Sequence, residues 1–251
     1  MKILLLNPNT STAMTERMST EAAGALAPDT DLTAITAIRG LPYIASRAEA
    51  QLAGSTVLEM LAEHRRGYDA AIIAAFGDPG LIAARELFDL PVIGMAEAAM
   101  HTACMLGQRF AIVTFSPTLL PWYEDAVALA GLGARCSALR AVRVGFRSVT
   151  EVQHELEGEI AELIRRTIRE DGADVVVLAG APLTGLAKRL RAEMSVPLVD
   201  PLAAALGQAQ ALVRLAPAPA RAGRFARPGA KATAGLAPAL ARWIEHREEP
   251  G

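Results

Sequence analysis

The chain reads as an α/β protein of two pseudosymmetric halves, each a mostly parallel sheet flanked by helices, with a cleft between them. Three observations predict this. Short apolar runs of strand length alternate with longer stretches at helical spacing, the pattern of parallel sheets. The same order of elements occurs twice. The spacing between the two occurrences is nearly constant: Asp69–Ala74 and Asp174–Ala179 lie 105 positions apart, Pro91 and Pro197 lie 106 apart, and Ile3–Leu6 lies about 107 before Phe110–Thr114.

The elements follow in order. Ile3 to Leu6 is an apolar run that suits a buried parallel strand. The turn Asn7-Pro8-Asn9-Thr10-Ser11 comes next, with Thr10 or Ser11 placed to cap a helix running to about Leu26. Leu32 to Ala37 reads as a strand. A loop with Gly40, Pro42 and Tyr43 leads to a helix over Ser46–Arg65. Ala70 to Ala75 is a short strand closed by Phe76-Gly77-Asp78-Pro79-Gly80, then come a helix over Leu81–Phe88 and a strand over Val92–Met95. In the second half the strands are Phe110–Thr114, Ala138–Val144, Val175–Ala179 and Leu198–Val199. Val149 to Arg169 reads as one long amphipathic helix, with Val152, Leu156, Ile160, Leu163, Ile164 and Ile168 on its apolar side. Ala216 to Gly235 is rich in Ala, Pro, Gly and Arg and reads as an extended segment lying on the surface or crossing back over the fold. Leu236 to Glu248 is a terminal helix with Leu240, Trp243 and Ile244 inward. Residues 1–97 with about 200–251 form the expected first half, and 98–199 the second.

Composition narrows the function classes. The 251 residues are 52% apolar and 21% charged, with a net charge of −2. That balance provides a sizeable core and lacks the basic face that nucleic acid requires. No apolar run approaches the roughly 20 residues of a membrane span, and the N-terminal run is too short for a signal peptide. Cys104 and Cys136 cannot build a disulfide framework and suit a reducing cytoplasm.

In parallel α/β sheets, ligands bind beyond the carboxyl ends of the strands. Four segments qualify: Asn7–Ser11, Phe76–Gly80, Thr114–Thr118 and Gly180–Thr184. Their Gly, Pro and small hydroxyl residues put backbone N–H groups near helix starts, where a carboxylate or polarised carbonyl is held, and they serve equally well as caps and turns. The candidate ligand-binding residues are Asn7, Asn9, Thr10 and Ser11; Gly77, Asp78 and Pro79; Thr114, Ser116 and Thr118; and Ala181, Pro182 and Thr184. No phosphate-binding Gly-rich motif, metal-ligand spacing or GxSxG elbow occurs, so nucleotide binding has little support and neither a metal site nor a serine triad is expected. His101, on a helix just after a strand, suits either an approach to the cleft or a surface or packing role. Asp78 and Asp200 follow strands and suit either a site acid or a cap. Glu97 opens a helix, where a carboxylate suits the dipole.

The motifs NPNTS at 7–11, AAFGDPGL at 74–81, PVIGMAEAAMHTACMLGQRFAIVT at 91–114 and GRFARPGAK at 223–231 resemble the hydantoin/allantoin racemase branch of the aspartate/glutamate racemase superfamily. The resemblance covers nearly the whole chain. It implies a cofactor-free enzyme with its site in the cleft, acting on a small carbonyl or carboxylate ligand. It also admits a homo-oligomer, whose number nothing in the sequence fixes. The family's chemistry uses two cysteines, one per half: one thiolate removes the proton alpha to a carbonyl and the other thiol returns one from the opposite face. At the matching positions this chain has Ala75 and Gly180, a pair that the 105-residue offset selects independently. Neither residue carries a proton.

Cys104 and Cys136 lie elsewhere and read as packing residues. The resemblance therefore implies an enzyme working alpha to the carbonyl of a hydantoin, amide or carboxylate by other than two-cysteine racemisation. The alternatives are a decarboxylase or lyase using an oxyanion-binding cleft, an inactive small-ligand-binding paralogue, and a racemase inactivated by substitution, natural or engineered.

Overall fold

The computed structural model describes residues 1–247. The helix expected over Leu236–Glu248 therefore has its last residue outside the described residues, as does the end of the segment 200–251.

Two parallel four-stranded sheets form the frame. The first contains β1 (Lys2–Asn7), β2 (Asp31–Thr36), β3 (Ala70–Ile73) and β4 (Val92–Gly94), in the order β2-β1-β3-β4. The second contains β5 (Phe110–Thr114), β6 (Cys136–Ala141), β7 (Val175–Leu178) and β8 (Leu198–Val199), in the order β6-β5-β7-β8. Their registers repeat as the sequence offsets require: Leu6 pairs with Ile73 where Val113 pairs with Leu178. The closing hydrogen bonds repeat too, Ala74 N–H to Leu6 O matching Ala179 N–H to Val113 O, each 2.8 Å. The pseudosymmetry therefore extends to individual backbone bonds.

The helices are α1 (Thr12–Ala22), α2 (Arg47–His64), α3 (Leu81–Leu87), α4 (Met95–Leu106), α5 (Leu120–Leu129), α6 (Val152–Glu155), α7 (Glu157–Asp171), α8 (Leu186–Leu190), α9 (Pro201–Leu215) and α10 (Pro238–Ile244). Side-chain caps set several starts. Ser11 Oγ accepts from Met14 N–H and Ser46 Oγ from Glu49 N–H, while Glu49 Oε2 reaches back to Ala45 N–H, close to a capping box. Asp200 caps α9 by accepting from Leu202 and Ala203 N–H.

Helices α4 and α9 join the halves. They pack on each other, and each crosses to the sheet it does not directly follow: α4, after β4, lies against β7 and β8 of the second sheet, and α9, after β8, against β3 and β4 of the first. Their inward faces are rich in alanine (Ala96, Ala98, Ala99 and Ala103 on α4; Ala204, Ala205 and Ala209 on α9), which lets the backbones approach closely. One continuous core results, running from Ile3 and Ile72 through Ala99 and Met100 to Val176 and Leu206.

Three expectations need correction. The single helix over Val149–Arg169 is two helices, α6 and α7, broken at Leu156 (φ −121°, ψ 14°). Buried Gln153 in α6 donates to Pro182 O (2.7 Å) and Thr184 O (2.6 Å), which ties the short helix to the opposite loop. Val152, Leu156 and Ile160 all remain buried, so the apolar spacing continues across the break and conceals it. Strand β6 lies at Cys136–Ala141 rather than Ala138–Val144, its register against β5 shifting between Phe110 and Ala111. Helices α5 and α9, like the short α8, match no helix expected from the sequence. Both open with proline in the first turn, a position proline favours but which resembles a breaker in sequence.

After α9 the chain runs back over the first half. The segment 216–235 carries one 3-10 turn, Gly223–Phe225, which packs by α3. It delivers α10 onto α2, with Leu240 and Trp243 buried. Trp243 stacks on Phe88 at 5.5 Å and donates from Nε1 to Leu87 O at 2.7 Å. The Arg65 and Arg227 guanidinium groups lie over its ring at 3.5 and 4.0 Å.

Candidate functional site

Both sheets end at a common cavity. Asn9, Met14, Tyr43, Ile44, Ala74, Ala75, Phe76, Trp122, Tyr123, Gly180, Ala181 and Pro182 line a narrow, partly open cavity there. Ala75 and Gly180, from equivalent turns after β3 and β7, thus face one space. No Lys, Arg or His side chain lines it. Its walls are aromatic: two of the chain's three tyrosines and one of its two tryptophans are here. Phe76 meets Tyr123 edge to face at 4.7 Å, and Trp122 lies 5.7 Å from Tyr123.

The polar residues of the first turn divide into builders and presenters. Asn7 is fully buried and its side chain is committed within the protein: the two Nδ2 hydrogens are shared among Asn9 Oδ1, Ser11 O and Thr15 Oγ1, and Oδ1 accepts from Asn9 N–H. Asn9 Oδ1 also accepts from Ser11 N–H at 2.9 Å. Both bonds hold the Asn9 amide in one orientation, at the cavity wall. Thr10 N–H donates to Leu41 O (2.9 Å), tying this turn to the loop that carries Tyr43. Ser11 is the α1 cap.

In the second turn, Gly77 has φ +103°, and a Cβ there would lie 2.4 Å from the Trp122 ring. Only glycine lets the ring pack flat on this turn. Asp78 (φ +50°) turns its carboxylate away from the cavity, onto the start of α4. It accepts from Ala96 and Glu97 N–H, each at 2.8 Å. Burial raises its pKa to about 7, against the opposing effect of those two bonds. Asp78 is therefore a capping residue, and Asp200 is its counterpart, also raised by burial, accepting from Gly185 N–H as well as from α9. Pro79 is buried beside the α2 backbone. Glu97 pairs with Arg85.

In the second half, Thr114 is fully buried and its Oγ1 donates to Ala179 O at 2.9 Å, locking the ends of β5 and β7 together. Ser116 and Thr118 bond each other at 2.9 Å in an exposed turn and do not line the cavity. Ala181 and Pro182 line it, and Pro182 O accepts from Arg17 Nη1 of α1 at 3.0 Å. Thr184 Oγ1 is buried without a partner among the described residues. Gly180 has φ +115°. A Cβ on it would lie 2.8 Å from Phe115 Cε1 and 3.6 Å from Tyr123 Oη. The space in front of Gly180 is thus occupied by an aromatic edge and a phenol.

Neither cysteine lines the cavity. Cys104 lies on α4 and Cys136 on β6, both half-buried, and burial pushes the Cys136 thiol up to about 11. A thiol so raised stays protonated at neutral pH. His101 is exposed on α4. Among the described residues, no cluster of three or more His, Cys, Asp or Glu could hold a metal ion, and no helix is long and apolar enough to cross a membrane.

Sequence reasoning missed Met14, Tyr43, Ile44, Ala74, Trp122 and Tyr123 as cavity residues. Apolar side chains give no chemical signal, but aromatic residues make up only 4% of this chain, and the adjacent Trp122-Tyr123 stands out against that scarcity.

Two pseudosymmetric α/β halves with a shared cavity at the carboxyl ends of paired strands have the architecture of the racemase-like class. Residues 3–209 match the family model Asp/Glu/Hydantoin racemase. The chain is 34% identical over 233 residues to the hydantoin racemase of Paenarthrobacter aurescens, covering 92% of this chain and 99% of that one. Its structure resembles the allantoin racemase from Klebsiella pneumoniae with a TM-score of 0.89 at 37% identity, covering 95% and 98% of the two chains. It also resembles an allantoin racemase from Pseudomonas fluorescens, with a TM-score of 0.86 at 32% identity over 94% and 100%. The chain belongs to the Asp/Glu/hydantoin racemase family, close to its hydantoin and allantoin racemases.

Proposed function

We propose that this protein is an enzyme acting at the carbon alpha to the carbonyl of a small hydantoin, amide or carboxylate, by a route other than two-cysteine racemisation. One observation carries the reading: the paired turns face one cavity with Ala75 and Gly180, and neither side chain can give or take a proton. In this reading the cleft lies between residues 1–97 with about 200–251 and residues 98–199. It takes a small molecule, not nucleic acid, and needs no cofactor.

The lining residues support binding and orientation of a planar carbonyl compound. The aromatic walls exclude water and sandwich a flat ring. With its Oδ1 held by two internal bonds, Asn9 presents its Nδ2 as a donor to a ligand oxygen, where charge develops if an enolate forms. The Tyr123 hydroxyl, beside Gly180, supplies a polar group on the second-half side.

Native mass spectrometry of the protein as purified tests the ligand class. A bound carbonyl or carboxylate compound small enough for the cavity is the expected result. A retained nucleotide or other phosphorylated ligand contradicts it.

A further inference from the structure

Tyr43 is the cavity residue whose chemistry is least accounted for by the fold. It sits in the loop between β2 and α2, held by the Thr10 N–H to Leu41 O bond on one side and by buried Ile44 on the other. Its ring lies 6.1 Å from that of Phe115. The hydroxyl is buried and has no hydrogen-bond partner among the described residues. Glu49, the nearby carboxylate, already accepts from Ala45 N–H. Burial, and secondarily the charge of Glu49, keep the phenol protonated well beyond neutral pH. It is therefore a permanent donor and cannot act as a base.

A buried, unmet donor destabilises a fold unless something else uses it. The same cavity holds the Asn9 amide and the faces of Ala75 and Gly180, and no cationic side chain. An anion of high charge has no counter-charge there, whereas a ring carbonyl needs only neutral donors.

We propose that Tyr43 is a substrate-binding residue whose hydroxyl donates to a carbonyl oxygen of a small cyclic amide seated between Ala75 and Gly180. The proposal rests on the ligand class given above and adds the residue that recognises it. Tyr43 positions the ligand and excludes water, and no proton leaves it.

The test pairs binding with stability, using 5-methylhydantoin as probe. Calorimetric titration of Tyr43→Phe is expected to show affinity about tenfold weaker than the native protein, the effect of one lost hydrogen bond. Without ligand, the same variant is expected to melt a few degrees higher, roughly 2–4 °C, because the unmet hydroxyl is gone. A variant that binds as tightly as the native protein overturns the proposal. So does one that melts no higher, since the hydroxyl then has a structural partner. Failure of the native protein to bind the probe overturns the cyclic-amide reading itself and is distinguished from both by the melting comparison.

Discussion

Asp78 shows how a residue can look catalytic in sequence and be structural in place. Its carboxylate is committed to the first turn of α4, and burial raises its pKa to about 7. A carboxyl raised on folding stabilises fully below its unfolded pKa, near 3.8, and that contribution is lost as pH rises through about 7. Asp78→Asn is therefore expected to destabilise the protein by about 1 kcal/mol through the weakened cap, with a larger cost at pH 5 than at pH 8. Urea titrations at the two pH values check this, and the reverse order contradicts it. Gly180 is constrained differently. Its positive φ and the Phe115 edge exclude a side chain, so Gly180→Ala is expected to cost about 1–3 kcal/mol. Ala75→Cys, facing open cavity, stays within about 1 kcal/mol. Equal stability of Gly180→Ala and native protein would show that Phe115 yields.

Among the elements, the strands were the most legible. Phe110–Thr114 and Leu198–Val199 fall where the apolar runs place them, because a strand buried on both faces is a continuous apolar run bounded by turn residues. The helices that join the halves were less legible. The α9 face is alanine-rich, and alanine fills buried and exposed positions alike, so periodicity carries little contrast there. The split between α6 and α7 was illegible because it depends on Gln153 reaching Pro182 and Thr184, contacts about thirty residues away in sequence. Likewise the Asn7–Ser11 turn was selected as a ligand loop, but which asparagine faces the cavity depends on a hydrogen-bond network that composition does not encode. The terminal element makes a separate prediction. Trp243 anchors α10 through Phe88, Leu87 O and two guanidinium groups. Trp243→Ala is expected to cost about 3 kcal/mol and to open 216–235 to protease. Limited proteolysis of the two proteins checks it, and an unchanged cleavage rate contradicts it.

For the whole molecule, the twofold repeat was readable as a constant offset, and it recurs in strand register. The same offset pairs Ala75 with Gly180 across one cavity. The fold is that of the racemases, while the paired positions carry no thiol, and the surroundings of Gly180 are built around its absence. The double variant Ala75→Cys/Gly180→Cys is accordingly expected to gain no racemase activity, since Phe115 and Tyr123 occupy the space the second thiol needs. Polarimetry on a chiral hydantoin checks this, and a clear gain would mean that the cavity accepts both thiols.

We propose that this protein does not work through cysteine. Exchange of the C5 hydrogen of 5-methylhydantoin in D2O, followed by proton NMR, tests it most directly when native protein is compared with Cys104→Ser/Cys136→Ser. The expected result is the same exchange rate for both. Exchange by the native protein that disappears in the thiol-free variant would contradict it.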